Sequence, residues 1–135
     1  MYPLRRISKP TLTALACAVA VALGSGCGQT DQEQARKATE DYIQAISRGN
    51  YAAACELFTA GYRAELGGEA GCARAQADQF TGPQGNPPDL AIATVRVMGD
   101  RANVALNVSR DGPPSPLLLL MVNEGGDEWR IRGQQ

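Results

Sequence analysis

Few side chains in this 135-residue chain are equipped for chemistry: four cysteines (Cys17, Cys27, Cys55, Cys72), fourteen carboxylates, four tyrosines and no histidine. The missing imidazole removes Ser-His and Cys-His nucleophilic pairs, histidine acid-base catalysis and every histidine-containing zinc site. Cys55 and Cys72 lie 17 positions apart. In an oxidising compartment such a pair reads as a disulfide, whose loop closure is worth about 3 kcal/mol in chain-entropy models. The competing reading, a two-thiol metal or redox site, has neither C-x-x-C spacing nor a histidine to complete it. There is no phosphate loop, dinucleotide fingerprint or calcium loop, so neither a cofactor nor a metal is expected. Tyr42 is the polar side chain best placed to look inward, and a core tyrosine with one satisfied hydroxyl is the simpler account of it.

The compartment is written in the first residues. Arg5, Arg6 and Lys9 make the start basic, and no carboxylate precedes Asp31. The apolar run Leu12–Leu23 follows, then the small residues Gly24-Ser25-Gly26. A positive head, a short apolar middle and a small-residue exit form a secretion signal. The apolar run has 12 residues, whereas a membrane-spanning helix needs about 20. Leu23-Gly-Ser-Gly-Cys27-Gly28 resembles the lipobox of bacterial lipoproteins, with Gly24 where a large aliphatic residue is usual. That resemblance implies a diacylglyceryl group on the Cys27 sulfur and cleavage before it, two acyl chains giving an anchoring that one cannot. Residues 1–26 are then a signal peptide, 27–34 the lipidated cysteine and a tether, and 35–133 the folded domain. The expected location is the outer face of the cell membrane, held through lipid on Cys27. Losing Arg5, Arg6 and Lys9 while keeping all the carboxylates takes the net charge from −1 to −4. Neither a nucleic-acid surface nor a polybasic membrane patch is expected at that balance.

The elements that position these residues follow from periodicity. Asp31 can cap a helix in which Ala35, Ala38, Tyr42 and Ala45/Ile46 recur at three- and four-residue steps, placing a helix over 35–48. Gly49 ends it, Asn50 caps a second over 51–58, a helical turn falls at 62–66, and a last helix covers 73–80 with Cys72 at its start. Thr81–Asp89 is a breaker cluster, after which the pattern turns to strands at 91–98, 101–109, 117–122 and 128–132. In the second strand Ala102, Val104, Leu106 and Val108 point one way, and Asn103, Asn107 and Ser109 the other. The unbroken apolar run Leu117–Val122 implies a strand covered on both faces, or one that meets lipid or a partner. Helices followed by a four-stranded antiparallel meander make an α+β domain with helices on one sheet face.

In order and pattern the chain resembles the nuclear-transport-factor-2-like superfamily, in the form carried by bacterial, particularly actinobacterial, lipoproteins. The residues that carry the resemblance are the opening helix 35–48, the joint Gly49-Asn50-Tyr51 leading to Cys55, then Tyr62-Arg63-Ala64-Glu65-Leu66, Cys72, and the closing Glu128-Trp129-Arg130-Ile131. The resemblance implies a cone in which a curved sheet wraps around helices and encloses a pocket, with Tyr42, Ile46, Phe58, Phe80, Leu106 and Trp129 as its lining. It also implies a homodimer through the sheet as one assembly. The enzymes of that superfamily, isomerases and cyclases, place Asp, Tyr or His in the pocket. Here no histidine exists, and Asp78, Asp89, Asp100, Asp111 and Asp127 fall at a helix end, a loop and turns. The expectation is therefore a non-catalytic module for an unknown protein or a small apolar ligand, the alternative being a small isomerase, dehydratase or cyclase. Two further motifs carry little. Gly125-Gly126-Asp127-Glu128 resembles the diguanylate cyclase signature but has Trp129 where that has Phe, and a two-glycine turn explains it. Asn107-Val108-Ser109 matches a glycosylation acceptor on a solvent-facing strand position.

Overall fold

The structure, a computed structural model, describes residues 29–82 and 85–135. The signal segment, Cys17 and the Cys27 lipid site lie outside the described residues. Four helices come first, α1 (Asp31–Ser47), α2 (Tyr51–Glu56), α3 (Ala60–Glu65) and α4 (Gly68–Phe80). Four strands follow, β1 (Asp89–Met98), β2 (Arg101–Ser109), β3 (Ser115–Asn123) and β4 (Trp129–Gln134). The strands pair antiparallel in chain order, β1-β2-β3-β4, as expected of a meander. Register shifts between Ile92 and Thr94 and between Leu120 and Met121 bend the sheet so that it curves over the helices.

Caps decide where the helices begin. Thr30, and not Asp31, caps α1: its hydroxyl accepts from Glu33 N while the Glu33 carboxylate accepts from Thr30 N. This reciprocal pair satisfies two of the helix's orphan donors, so α1 opens four residues before the apolar period that marks it in sequence. Asn50 caps α2 through Ala53 N, as expected, and Thr59 caps α3 through Tyr62 N. Helix α2 stops at Glu56, because the chain then runs beside β4. Thr59 N donates to Ile131 O and Ile131 N to Leu57 O, both at 2.8 Å. The outer edge of β4 is thereby paired rather than open.

Helix α4 starts five residues ahead of its apolar pattern, because Gly67 takes a left-handed conformation (φ 96°) and lets the chain turn straight into a new helix. Gly71 sits where a Cβ would collide with the carbonyl oxygen of Leu66. Gly71→Ala should therefore cost about 1–3 kcal/mol, as overpacking does, read as a lower urea midpoint with an unchanged slope. An unchanged midpoint would show that the Leu66 turn yields freely.

The core lies between the inner sheet face and the helices. It takes Ala102, Val104 and Leu106 from β2, Leu117, Leu119 and Met121 from β3, and Trp129 and Ile131 from β4. Strand β3 is covered on one face only, so its apolar run is not a strand buried on both sides: Leu117, Leu119 and Met121 are buried, while Leu118, Leu120 and Val122 face outward and stay partly exposed. Among the described residues no helix is long and apolar enough to cross a membrane.

Candidate functional site

The six residues expected to line a pocket come from four elements and one loop, and all are nearly or fully buried. Tyr42 and Ile46 lie on α1, Phe80 ends α4, Phe58 follows α2, Leu106 is on β2 and Trp129 opens β4. Three of the rings, Tyr42, Phe58 and Phe80, pack on one another, and Trp129 borders a surface hollow beside α1. The Tyr42 ring lies 6.0 Å from Phe58 and 6.4 Å from Phe80, and Phe58 stacks at 4.9 Å on Tyr62. These are ordinary core aromatic spacings.

The Tyr42 hydroxyl sits in a closed set of hydrogen bonds. It donates to Gln76 Oε1 (2.8 Å) and accepts from Gln134 Nε2 (2.6 Å). Gln76 Nε2 donates back to Gln134 Oε1 (3.3 Å), which also takes the Tyr62 hydroxyl at 3.5 Å. Phenol and amides thus complete one another inside the cone, where a hydroxyl without partners would be costly. Burial pushes the Tyr42 phenol far above its ordinary pKa, opposed by the Gln134 bond, and burial also raises that of Tyr62. A phenol held neutral and already bonded to two amides is poorly disposed to exchange protons with a substrate. Tyr42 is the inward polar residue the sequence pointed to. Its two partners are not singled out by hydrophobic period, although Gln76 lies between Cys72 and Phe80 on the buried stripe of α4, where a polar residue asks for a partner.

Cys55 and Cys72 are bonded to each other, tying α2 to α4 with 6.2 Å between their Cα atoms. Among the described residues no three carboxylates or cysteines converge as metal ligands.

The hollows recorded among the described residues lie at the surface. One, of about 350 Å³, runs between α1 and the β3–β4 turn and is bordered by Gln34, Lys37, Asp41, Asp127, Trp129 and Arg130. On its α1 side Lys37 pairs with Asp41 one turn along the helix, and Gln34 Nε2 ties the start of α1 to Asp127 at 2.9 Å. Another, of about 260 Å³, lies between the end of α4 and the β1–β2 pair, beside Asp89, Arg110 and Asp111. There Arg110 donates to Gln79 O and Phe80 O, closing the C-terminus of α4. The Arg110 hollow is thus bordered by a group that closes α4, whereas Gln34 and Trp129 beside the α1 hollow each keep a buried polar atom, Oε1 and Nε1, without a hydrogen-bond partner.

No protein-family model matches this chain, and no curated protein matches it. Solved structures do. An NTF2-like protein of unknown function from Silicibacter pomeroyi superposes with a TM-score of 0.53 at 21% identity, over 78% of this chain and 96% of its own. One from Shewanella oneidensis reaches a TM-score of 0.57 at 15% identity, over 78% and 97%. A third, from Streptomyces avermitilis, is put forward as a dehydratase of the NTF2-like family; it has a TM-score of 0.51 at 20% identity, over 77% and 92%. The chain therefore has the NTF2-like fold, and at these identities the likeness carries the architecture alone.

Proposed function

We propose that this protein is a lipid-anchored, extracytoplasmic binding module that engages another protein through its outer surface and transforms no substrate. The observation that carries the reading is the occupied interior. Where an enzyme of this shape needs a cavity with a poised acid or base, Tyr42, Gln76 and Gln134 satisfy one another among packed aromatic rings. The absence of histidine and the exposure of every described aspartate argue the same way. Anchoring rests on the basic, apolar and small-residue sequence of 1–26 followed by Cys27. Only two residues, Gly28 and Gln29, separate Cys27 from the Thr30 cap, a tether reaching at most about 10 Å. The folded domain would then sit low on the membrane, within reach of other envelope proteins.

Two experiments on the full chain in its own cells test the reading. Metabolic labelling with a clickable fatty acid should tag the protein, and Cys27→Ala should abolish the tag; a labelled variant would refute the anchor. A photo-crosslinking residue at Leu120 should form protein adducts, whereas one at Gln44 on the exposed side of α1 should form few. Adducts to small molecules alone, or none at all, would refute the protein-binding module.

A further inference from the structure

The outer face of the sheet has a pattern of its own. Cross-strand rows are fixed by register: Met98–Arg101–Val122–Arg130, then Arg96–Asn103–Leu120–Gly133, then Thr94–Ala105–Leu118. Down the middle runs an apolar column on β3, Leu118, Leu120 and Val122, none of which packs against the core. Met98 beside it is 53% exposed. Gly133 leaves Leu120 open on the β4 side, where even an added Cβ would only reach van der Waals contact with it. The charges flanking the column are of one sign: Arg96 and Arg101 on the β1–β2 side and Arg132 on β4, while Arg130 at the end of the first row is turned to α2 and donates to Glu56 O. None of Arg96, Arg101 and Arg132 is paired with a carboxylate among the described residues. The sole outward carboxylate of the strands, Asp89, is at the far end opposite Ser109, and Asp100 and Glu124 lie in the turns beyond the last row.

We infer that this face docks an acidic amphipathic helix of a partner protein, a conclusion that rests on the protein-binding reading above and names its partner's chemistry. Dimensions agree. Neighbouring strands are about 4.8 Å apart, so β2 and β4 are separated by about 10 Å, the width of one helix lying along β3. The column from Leu118 to Val122 spans about 13 Å, or roughly nine residues of helix. Such a helix sets its apolar stripe on the leucines and its flanking carboxylates over the arginines, which bind carboxylates in bidentate fashion. A second copy of this chain fits less well, because it offers arginines where carboxylates are needed.

The test uses the full-length processed chain and a fluorescent helical peptide of about fourteen residues (~20 Å), with leucines on one stripe and glutamates beside them. Binding is expected to weaken about tenfold when glutamine replaces the glutamates, and to weaken similarly in about 0.5 M NaCl. Arg101→Glu combined with Arg132→Glu should abolish binding, and a peptide with lysines for glutamates should restore it. Gly133→Val, which fills the dip beside Leu120 and leaves the charge untouched, should also block binding. Equal binding of the glutamate and glutamine peptides overturns the inference. So does a dimer that forms through this face and excludes the peptide, or capture of the chain by phosphatidylglycerol vesicles through the same arginines without peptide binding. Protein adducts at Leu120 that survive the arginine reversal sink the acidic-helix inference and leave the module reading standing. Loss of all protein adducts sinks both.

Discussion

Replacing Cys55 and Cys72 together by alanine is expected to lower the stability of the domain by about 3 kcal/mol, the chain-entropy value for a loop of this length. For a domain of this size that corresponds to a fall in Tm of roughly 12–24 °C. The bond joins α2 to α4, and the loop it closes contains α3, a helix with no fully buried residue of its own. Helix α3 rests on α4 and β4, through residues such as Tyr62 and Leu66 that are only partly buried. Cutting the bond should therefore loosen α3 more than the sheet. Hydrogen exchange should show the amides of Ala60–Leu66 losing protection ahead of those of β2 and β3. Both sulfurs are buried, Cys55 to 3% exposure and Cys72 to 0%. Reductant should accordingly act on the native protein only as fast as this segment opens. An alanine pair with an unchanged Tm, or uniform loss of protection across the domain, would show that the α2–α4 packing holds without the bond.

How far the sequence reveals this molecule depends on which force fixes each part. Strand β2 is legible to the residue, since alternation of Ala102, Val104, Leu106 and Val108 with polar neighbours has one physical meaning beside a half-buried sheet. The disulfide is legible from the cysteine count once the first residues are read as an export signal. Helix starts are less so, because they are set by hydrogen bonds rather than by hydrophobic period. Thr30 and Glu33 do spell a capping box, yet the apolar stripe that draws attention begins only at Ala35. Helix α4 hides its first turn in Glu69-Ala70-Gly71, which shows no apolar pattern and depends on the left-handed Gly67. The candidate site fared in between. Tyr42 is visible as an inward polar residue, whereas Gln134 is not. Simple alternation from Trp129 and Ile131 would put residue 133 inside, and the register shift opposite Leu120 and Met121 turns Gln134 inward instead. A bulge has no sequence signature here, so the residue that completes the Tyr42 network could not be found without the sheet. The apolar run of β3 was ambiguous for a related reason. Period alone cannot say which face of a uniformly apolar strand a helix layer will cover.

Tyr42→Phe is expected to cost about 2–4 kcal/mol, a large effect for the loss of one oxygen. Two groups lose a partner: the buried Gln76 Oε1, which accepts only from Tyr42, and the Nε2 of the partly buried Gln134, which bonds the phenol. Each such orphan costs about 1–3 kcal/mol when water cannot reach it, and Gln76 is 1% exposed. The cost should shrink when the partner is removed too. Gln76→Leu on top of Tyr42→Phe should be less damaging than the two single changes added, with a coupling above about 1 kcal/mol. The phenol also leaves a signature in pH. Its folded-state pKa is raised, chiefly by burial, above the unfolded value of 10.0. The folded protein therefore keeps a proton that the unfolded chain releases. The stability this represents is fully present below pH 10, and it is lost as pH rises further, at up to about 1.4 kcal/mol per pH unit. Urea midpoints should be level from neutral pH to near 10 and then fall. In Tyr42→Phe the alkaline fall should be shallower, with the half-buried Tyr62, shifted in the same direction, supplying what remains. An equally steep fall in the variant would mean that the phenol ionises in the folded state, as it would if the interior of the cone admitted water. That result would reopen the case for a ligand or substrate beside Tyr42, so the same measurement that tests the stability argument also tests the ground on which catalysis was set aside.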